Sequence, residues 1–289
     1  MLIKLGHVSH GTVVLEGTFK GRQVAVKRLV REHHDVTLVE REVSLLEQAD
    51  DHPNVIRCFY HEFDDKDFLF IALALCPASL ADFIERPGYV REIADSFDPK
   101  RALREITSGL EHLDIVHRNI NPENILISSA KEGKSDRYRM VISGFRLCQK
   151  LEAGQTSFFQ TAGSADGGGT HGWTAPEILR WMVRRTTAVK EIQTMQLIKS
   201  VDIFALGCLY YYCLTLGKHP FDDPFDDRFE RDCHILHDQK SLQGLEILRV
   251  DDPEVVGLIA SMLAPEAANR CVRQYQILLL SLFSREWKT

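Results

Sequence analysis

Residues 115–127 read IVHRNINPENILI. An apolar pair, Ile115-Val116, leads in and Ile125-Leu126-Ile127 leads out. The residues between them carry imidazole, guanidinium, carboxamide and carboxylate groups. Apolar ends around a polar centre describe a loop whose two anchors hold functional groups in place. Upstream, Asp98 before Pro99 is an N-cap followed by proline at the first helical position, and Leu103, Ile106, Leu110 and Leu113 then fall on one face of a helix. Downstream, NILI at 124–127 and RMVIS at 139–143 form a short β pair.

Toward the N-terminus the pattern is that of strands. LIKL, TVVLEGTF and QVAVKRLV alternate within residues 2–30, separated by glycine-containing turns at Gly6 to Gly11 and at Lys20-Gly21. From about Thr37 the spacing becomes helical, with Leu38, Val43, Leu45 and Leu46 apolar, until Asp51-His52-Pro53 stops it. VIRCFYHEF and DFLFIALAL add two strands. The expected first lobe, residues 1–76, is thus five strands and one helix.

Residues 77–289 read as a mainly helical second lobe, giving an α+β fold in two lobes. Ser79 caps a short helix through Ile84. The Gly/Ser/Thr/Ala-rich stretch after RMVIS, through Gly169, has too little apolar content to pack and is expected to be a mobile loop. VDIFALGCLYYYCLTL at 201–216 is short for a membrane span and carries Asp202, so it reads as a buried helix closed by Gly217. An Asp-rich loop at 222–227 and closing helices around Val255 to Leu263 and Tyr275 to Phe283 complete the chain.

Composition narrows the function classes. The 289 residues carry a formal charge of −6 with no dominant Lys/Arg block, so nucleic acid is not an expected partner. Seven scattered cysteines without C-x-x-C spacing read as reduced thiols, and the twelve histidines show no metal spacing. Met1 runs almost directly into LIKL, so no leader is expected, and with the reduced thiols the expected location is cytoplasmic.

The order of a glycine turn, VAVK, an acidic helix, HR-x-x-x-P-E-N and a long loop ending in APE resembles a eukaryotic protein kinase over essentially the whole chain. GTVVLEG, VAVKRLV, HPNVIR, HRNINPENILIS and VDIFALGC are most similar to the kinase half of the inositol-requiring kinase/endoribonuclease family, the unfolded-protein-response sensors, in particular its plant forms. By this resemblance Lys27 matches the lysine that reaches the nucleotide phosphates and Glu42 the glutamate that orients it. A surface Lys-Glu pair is the alternative, but Lys27 lies in an apolar strand where an unpaired charge is costly. Gly6 and Gly11 match two glycines of the phosphate-covering turn, with Val13 and Ala25 lining the same pocket. Leu73, Ala74, Leu75 and Cys76 match the segment whose backbone bonds adenine.

The working positions are changed. Val8 stands at the middle glycine, stiffening the turn. Asn119 replaces the catalytic aspartate, and a carboxamide orients a hydroxyl without taking its proton near neutral pH. Asn121 replaces the phosphate-neutralising lysine. Gly144, in ISGFRL, replaces the metal-binding aspartate, leaving Asn124 as one neutral donor for a cation that prefers carboxylates. No catalytic residue is intact.

Residues that support the fold are kept. Leu46, Phe145, His117 and Asp202 match the regulatory spine, Arg118 follows His117, and Glu177 with Arg270 matches a buried ion pair. Arg146 is either a solvated side chain or a competitor of Lys27 for Glu42. Thr156, Ser157, Thr161, Ser164 and Thr170 are open to phosphorylation in trans, but hydroxyls are expected in any flexible loop, so no modification site is read from them.

The resemblance therefore implies a pseudokinase, a scaffold or regulator in an unfolded-protein-response-like pathway. It implies weak ATP binding without Mg²⁺, and a homodimer or a heterodimer with an active relative. The alternatives are a weakly active serine/threonine kinase using ATP and, with the chain ending at Trp287-Lys288-Thr289 where little room is expected for a nuclease module, an endoribonuclease.

Overall fold

The computed structural model describes residues 4–7, 12–30, 36–49, 51–63, 68–86, 88, 97–113, 115–128, 138–150, 157–161, 169–187, 194–222, 228–245 and 253–270. Val8, Gly11 and the closing helix expected at Tyr275 to Phe283 lie outside them.

Five strands make one antiparallel sheet: β1 (Lys4–His7), β2 (Val13–Phe19), β3 (Arg22–Val30), β4 (Cys58–Phe63) and β5 (Phe68–Ala74), in the order β1-β2-β3-β5-β4. The register places Val14 opposite Lys27 and Ala25 opposite Leu73. Helix α1 (Val36–Gln48) buries Val39, Val43, Leu45 and Leu46 and exposes Glu40, Ser44 and Glu47, the division its helical spacing dictates.

A three-stranded sheet follows, in which β6 (Ala78–Ser79) and β9 (Arg139–Ile142) flank β8 (Ile125–Ser128). Ser79 then caps α2 (Leu80–Glu85) in a reciprocal capping box with Asp82. The turn after α1 is tied to β9: Ile56 N–H donates to the Ile142 carbonyl at 2.9 Å, and the Asn54 side chain donates to the Met140 carbonyl at 2.9 Å. These bonds explain why the first of two compact units takes in residues 1–96, 105–113 and 123–147, whereas the sequence pattern ends the first lobe at residue 76.

The second unit comprises 97–104, 114–122 and 148–289. Helix α3 (Pro99–Leu113), whose Asp98 side chain accepts from Lys100 N–H, buries Leu103 and Ile106 as its periodicity requires. β7 (Ile115–Val116) pairs with β10 (Gln149–Lys150). The loop-rich reading of 151–169 needs correction in part. Ser157–Thr161 forms β11, antiparallel to β12 (Thr194–Ile198), because an extended SFFQT finds a ladder partner more than thirty residues away in sequence.

Helix α4 (Pro176–Thr187) leads to α5 (Ser200–Leu214), which is buried nearly all round. Such a helix is the centre of a packed core. Among the described residues no helix is long and apolar enough to cross a membrane. After α5, Leu216 takes the left-handed conformation (φ 53°) and Gly217 N–H bonds the Tyr212 carbonyl at 2.9 Å, so the helix stop uses both residues where the sequence pointed to Gly217. Helices α6 (Arg228–Leu236) and α7 (Pro253–Met262) follow. Gly207 permits α7 to approach α5: a Cβ there falls 2.8 Å from that of Met262.

Candidate functional site

In the first unit, the strand β3 and the helix α1 present one charge each. Lys27 Nζ lies 2.5 Å from Glu42 Oε1, with the two side chains only 12% and 4% exposed. The sheet and α1 supply the two ends of this pair, so its geometry reports the packing of the helix on the strands. Glu42 Oε2 is buried without a hydrogen-bond partner among the described residues, and Glu42 Oε1 is held by Lys27, the first of the two cations that the sequence set against each other for this carboxylate. Leu46 and Phe145 are each 1% exposed, and the 3₁₀ turn Phe145–Leu147 packs against α1.

Val13 and Ala25 sit half-buried on β2 and β3, and Gly6 pairs with Val14. The β5 ladder ends at Ala74, leaving the backbone of Leu75 and Cys76 beyond it. Burial, opposed by the charge of Arg139, pushes the Cys76 thiol up to about 12, so it stays protonated.

Gly144 has φ 81°, and a Cβ built on it falls 2.5–2.7 Å from the carboxamide atoms of Asn124. The Asn124 side chain therefore fills the space a side chain at 144 would enter. The Asn124 carbonyl accepts from both Ser143 N–H (2.9 Å) and Ser143 Oγ (3.0 Å). One neutral carboxamide beside a glycine is a poor match for Mg²⁺, which takes carboxylate and phosphate oxygens, so the residues present do not fit that ion. Among the described residues no cluster of His, Cys, Asp or Glu could hold a metal.

The second unit holds the loop. Asp202 Oδ2 accepts from His117 N–H at 2.6 Å and Oδ1 from Arg118 N–H at 2.7 Å, which fixes Arg118 at φ 66°. Burial raises the Asp202 carboxyl to about 6, against the lowering effect of these two backbone bonds and of the Arg118 and Lys199 charges. His117 is fully buried.

Beyond this anchor the loop closes on itself. Asn119 Oδ1 accepts from Thr170 Oγ1 (2.8 Å) and from Asn121 Nδ2 (3.2 Å), and Asn121 Nδ2 also donates to Thr170 Oγ1 (2.9 Å). Both residues at changed working positions are thus joined to a hydroxyl that the sequence offered as one of several in a loop. Its signal, the threonine of GTHGW before APE, was present but not specific. A second feature carried no sequence signal: Asp232 on α6 accepts from Gly172 N–H at 2.7 Å and bonds His171 Nδ1 at 2.5 Å, pinning the run after Thr170.

The buried ion pair is formed. Arg270 grips Glu177 through two 2.9 Å bonds and donates as well to the carbonyls of Ala264, Ser200 and Pro265, with its side chain wholly buried against the Phe204 ring. Every donor of the guanidinium fork is directed at an acceptor or the ring face.

A strand lysine paired to a helix glutamate, an HR loop held by a buried aspartate and the glutamate of APE anchored by a buried arginine define a protein kinase domain. The family model of that domain matches residues 2–278, and the chain belongs to the protein kinase family. Within it, the chain is similar to the kinase/endoribonucleases. It is 41% identical over 302 residues to the serine/threonine-protein kinase/endoribonuclease ireA of Aspergillus fumigatus, covering 98% of this chain and 25% of that protein. To the sensor for unfolded proteins in the ER of Schizosaccharomyces pombe it is 36% identical, over 92% of this chain and 25% of the relative. To the serine/threonine-protein kinase/endoribonuclease of Oryza sativa it is 34% identical, over 94% of this chain and 29% of the relative. Identity to this plant protein is lower than to the two fungal ones. The chain spans about a quarter of the length of the curated relatives it matches.

Proposed function

We propose that this chain is a catalytically inert protein kinase domain acting in the cytoplasm as a scaffold or regulatory partner in an unfolded-protein-response-type pathway, as a homodimer or as a heterodimer with an active relative. The observation that carries the inert half is Asn119. A carboxamide at the base position has no protonation state that accepts a substrate proton near neutral pH, and its oxygen already accepts from Thr170 and Asn121. Gly144 and Asn124 add the missing metal carboxylate. Base and metal do different jobs in the same transfer, and losing either typically costs on the order of 10²-fold or more in rate.

The pathway half rests on likeness to proteins named as kinase/endoribonucleases and as a sensor for unfolded proteins. Lys27, held by Glu42, and the free-running backbone after Ala74 support weak, metal-independent binding of ATP. The formed Lys27–Glu42 pair is also the one feature that favours the alternative, a weakly active serine/threonine kinase.

Two measurements separate them. Thermal unfolding with ATP, with and without Mg²⁺, is expected to show a small shift or none, indifferent to the metal. A large Mg²⁺-dependent shift, or transfer of the γ-phosphate that disappears in Lys27→Ala, establishes the active kinase instead.

A further inference from the structure

The outer corner of the first unit's sheet, where the β2–β3 turn meets the start of β4, gathers cations onto rings. Phe19 stacks on Tyr60 with centroids 5.1 Å apart and planes 15° off parallel, and Lys20 Nζ lies 5.3 Å from the Phe19 centroid. Phe59 serves two guanidiniums at once: Arg22 and Arg57 lie 5.7 and 5.5 Å from its centroid. Lys20, Arg22 and Arg57 are exposed, and Tyr60 is 48% exposed although β4 is an end strand of its sheet.

Among the described residues neither Lys20 nor Arg22 is paired with a carboxylate. A ring beneath a cation limits its wandering while leaving its N–H groups for an incoming acceptor. In a chain of net charge −6, three cations held together in this way are a local exception that attracts anions over short range. An ammonium and a guanidinium held at one corner, Lys20 and Arg22, suit a group that offers several acceptor oxygens and close to two negative charges, which is a phosphate on a side chain more than a single carboxylate.

We infer that this corner docks a phosphorylated serine or threonine segment of a partner protein. The inference rests on the proposal that the chain is a regulatory partner of an active kinase, which supplies such segments. It makes the corner the place where the inert domain reads the active one's product. No bond is made or broken at the corner; the phosphate exchanges water for guanidinium and ammonium donors.

The test is fluorescence anisotropy on the full chain without nucleotide, using one labelled serine peptide in three forms: phosphorylated, unmodified, and with glutamate at the serine. The expected result is binding of the phosphorylated form at least about tenfold tighter than either other form, weakening with salt. In Lys20→Glu/Arg22→Glu that advantage is lost while the thermal midpoint holds. Phe59→Leu, which removes the ring and keeps the cations, weakens binding by a smaller factor. Equal binding of the three peptides, or an undiminished preference in the charge-reversed variant, overturns the inference. So does a charge reversal whose only effect is a change of oligomeric state by light scattering, which makes a second copy the occupant. Phosphoryl transfer is not measured here, so kinase activity found separately removes the inert reading and leaves the docking result standing.

Discussion

Replacing Gly144 by alanine puts a side chain into the place the Asn124 carboxamide occupies. Two costs follow from the geometry. At φ 81° an L-residue loses about 1–2 kcal/mol relative to glycine. The new Cβ, 2.5–2.7 Å from three Asn124 atoms, also forces that side chain off its position, for about 0.5–1.5 kcal/mol more. The expected destabilisation is about 1.5–3.5 kcal/mol, which lowers the thermal midpoint by about 3–14 °C for a chain of this size. Asn124→Ala separates the two costs, because removing the carboxamide relieves the steric one and leaves the backbone one. A double-mutant cycle read from urea unfolding midpoints should therefore give a coupling of about 1 kcal/mol. If Gly144→Ala unfolds within about 0.5 kcal/mol of the parent, or the coupling is zero, the carboxamide does not fill this space.

Three further outcomes are expected. Asn119→Asp alone should raise γ-phosphate transfer by less than about tenfold, since the metal carboxylate is still absent; appreciable transfer in this single variant, measured with labelled ATP, counts against the two-fault account. Arg270→Ala should destabilise by about 3–5 kcal/mol, measured by chemical unfolding, because Glu177 and three carbonyls lose their donor together; a loss under about 1 kcal/mol contradicts the buried pair. His219 is pulled down to about 3 by burial and then by the Arg231 charge, so the unfolded chain takes the proton first as pH falls below about 6.5, and stability present above that pH is lost on the way to about 3. The raised Asp202 acts in the opposite sense, losing stability as pH rises through about 6, so the informative quantity is the difference between parent and His219→Asn, whose unfolding midpoints should fall less steeply from pH 7 to 5.

The legible part of the fold was the part written in local patterns. Alternation gave β2, β3 and β5, helical spacing gave α1 and the buried face of α3, and Ser79 and Asp98 announced their helices. The β11–β12 ladder was hidden, because neither SFFQT nor TMQLI alone has a pattern that demands a partner and the pairing spans more than thirty residues. Sequence spacing likewise put Asn119, Asn121 and Asn124 on one loop. It could not join Thr170 to the first two, nor Asp232 to Gly172, since hydrogen bonds across about fifty to sixty residues are set by packing. The Arg146 alternative stayed open in the sequence for a related reason: proximity along a motif does not decide which cation a buried carboxylate holds, and in the structure Glu42 is paired with Lys27, the one presented by the sheet.

The two backbone bonds from Asp202 have a consequence for how such a loop can change. Asp202 grips the main chain at His117 and Arg118, and a main-chain amide is the same group whatever residue bears it. This part of the loop's path is consequently held by groups that do not depend on which side chains stand at 119 and 121. A lineage can exchange an acid for an amide at the first of these positions, or a cation for an amide at the second, without having to invent a new backbone for the anchor. Shape and reactivity are inherited separately in this loop.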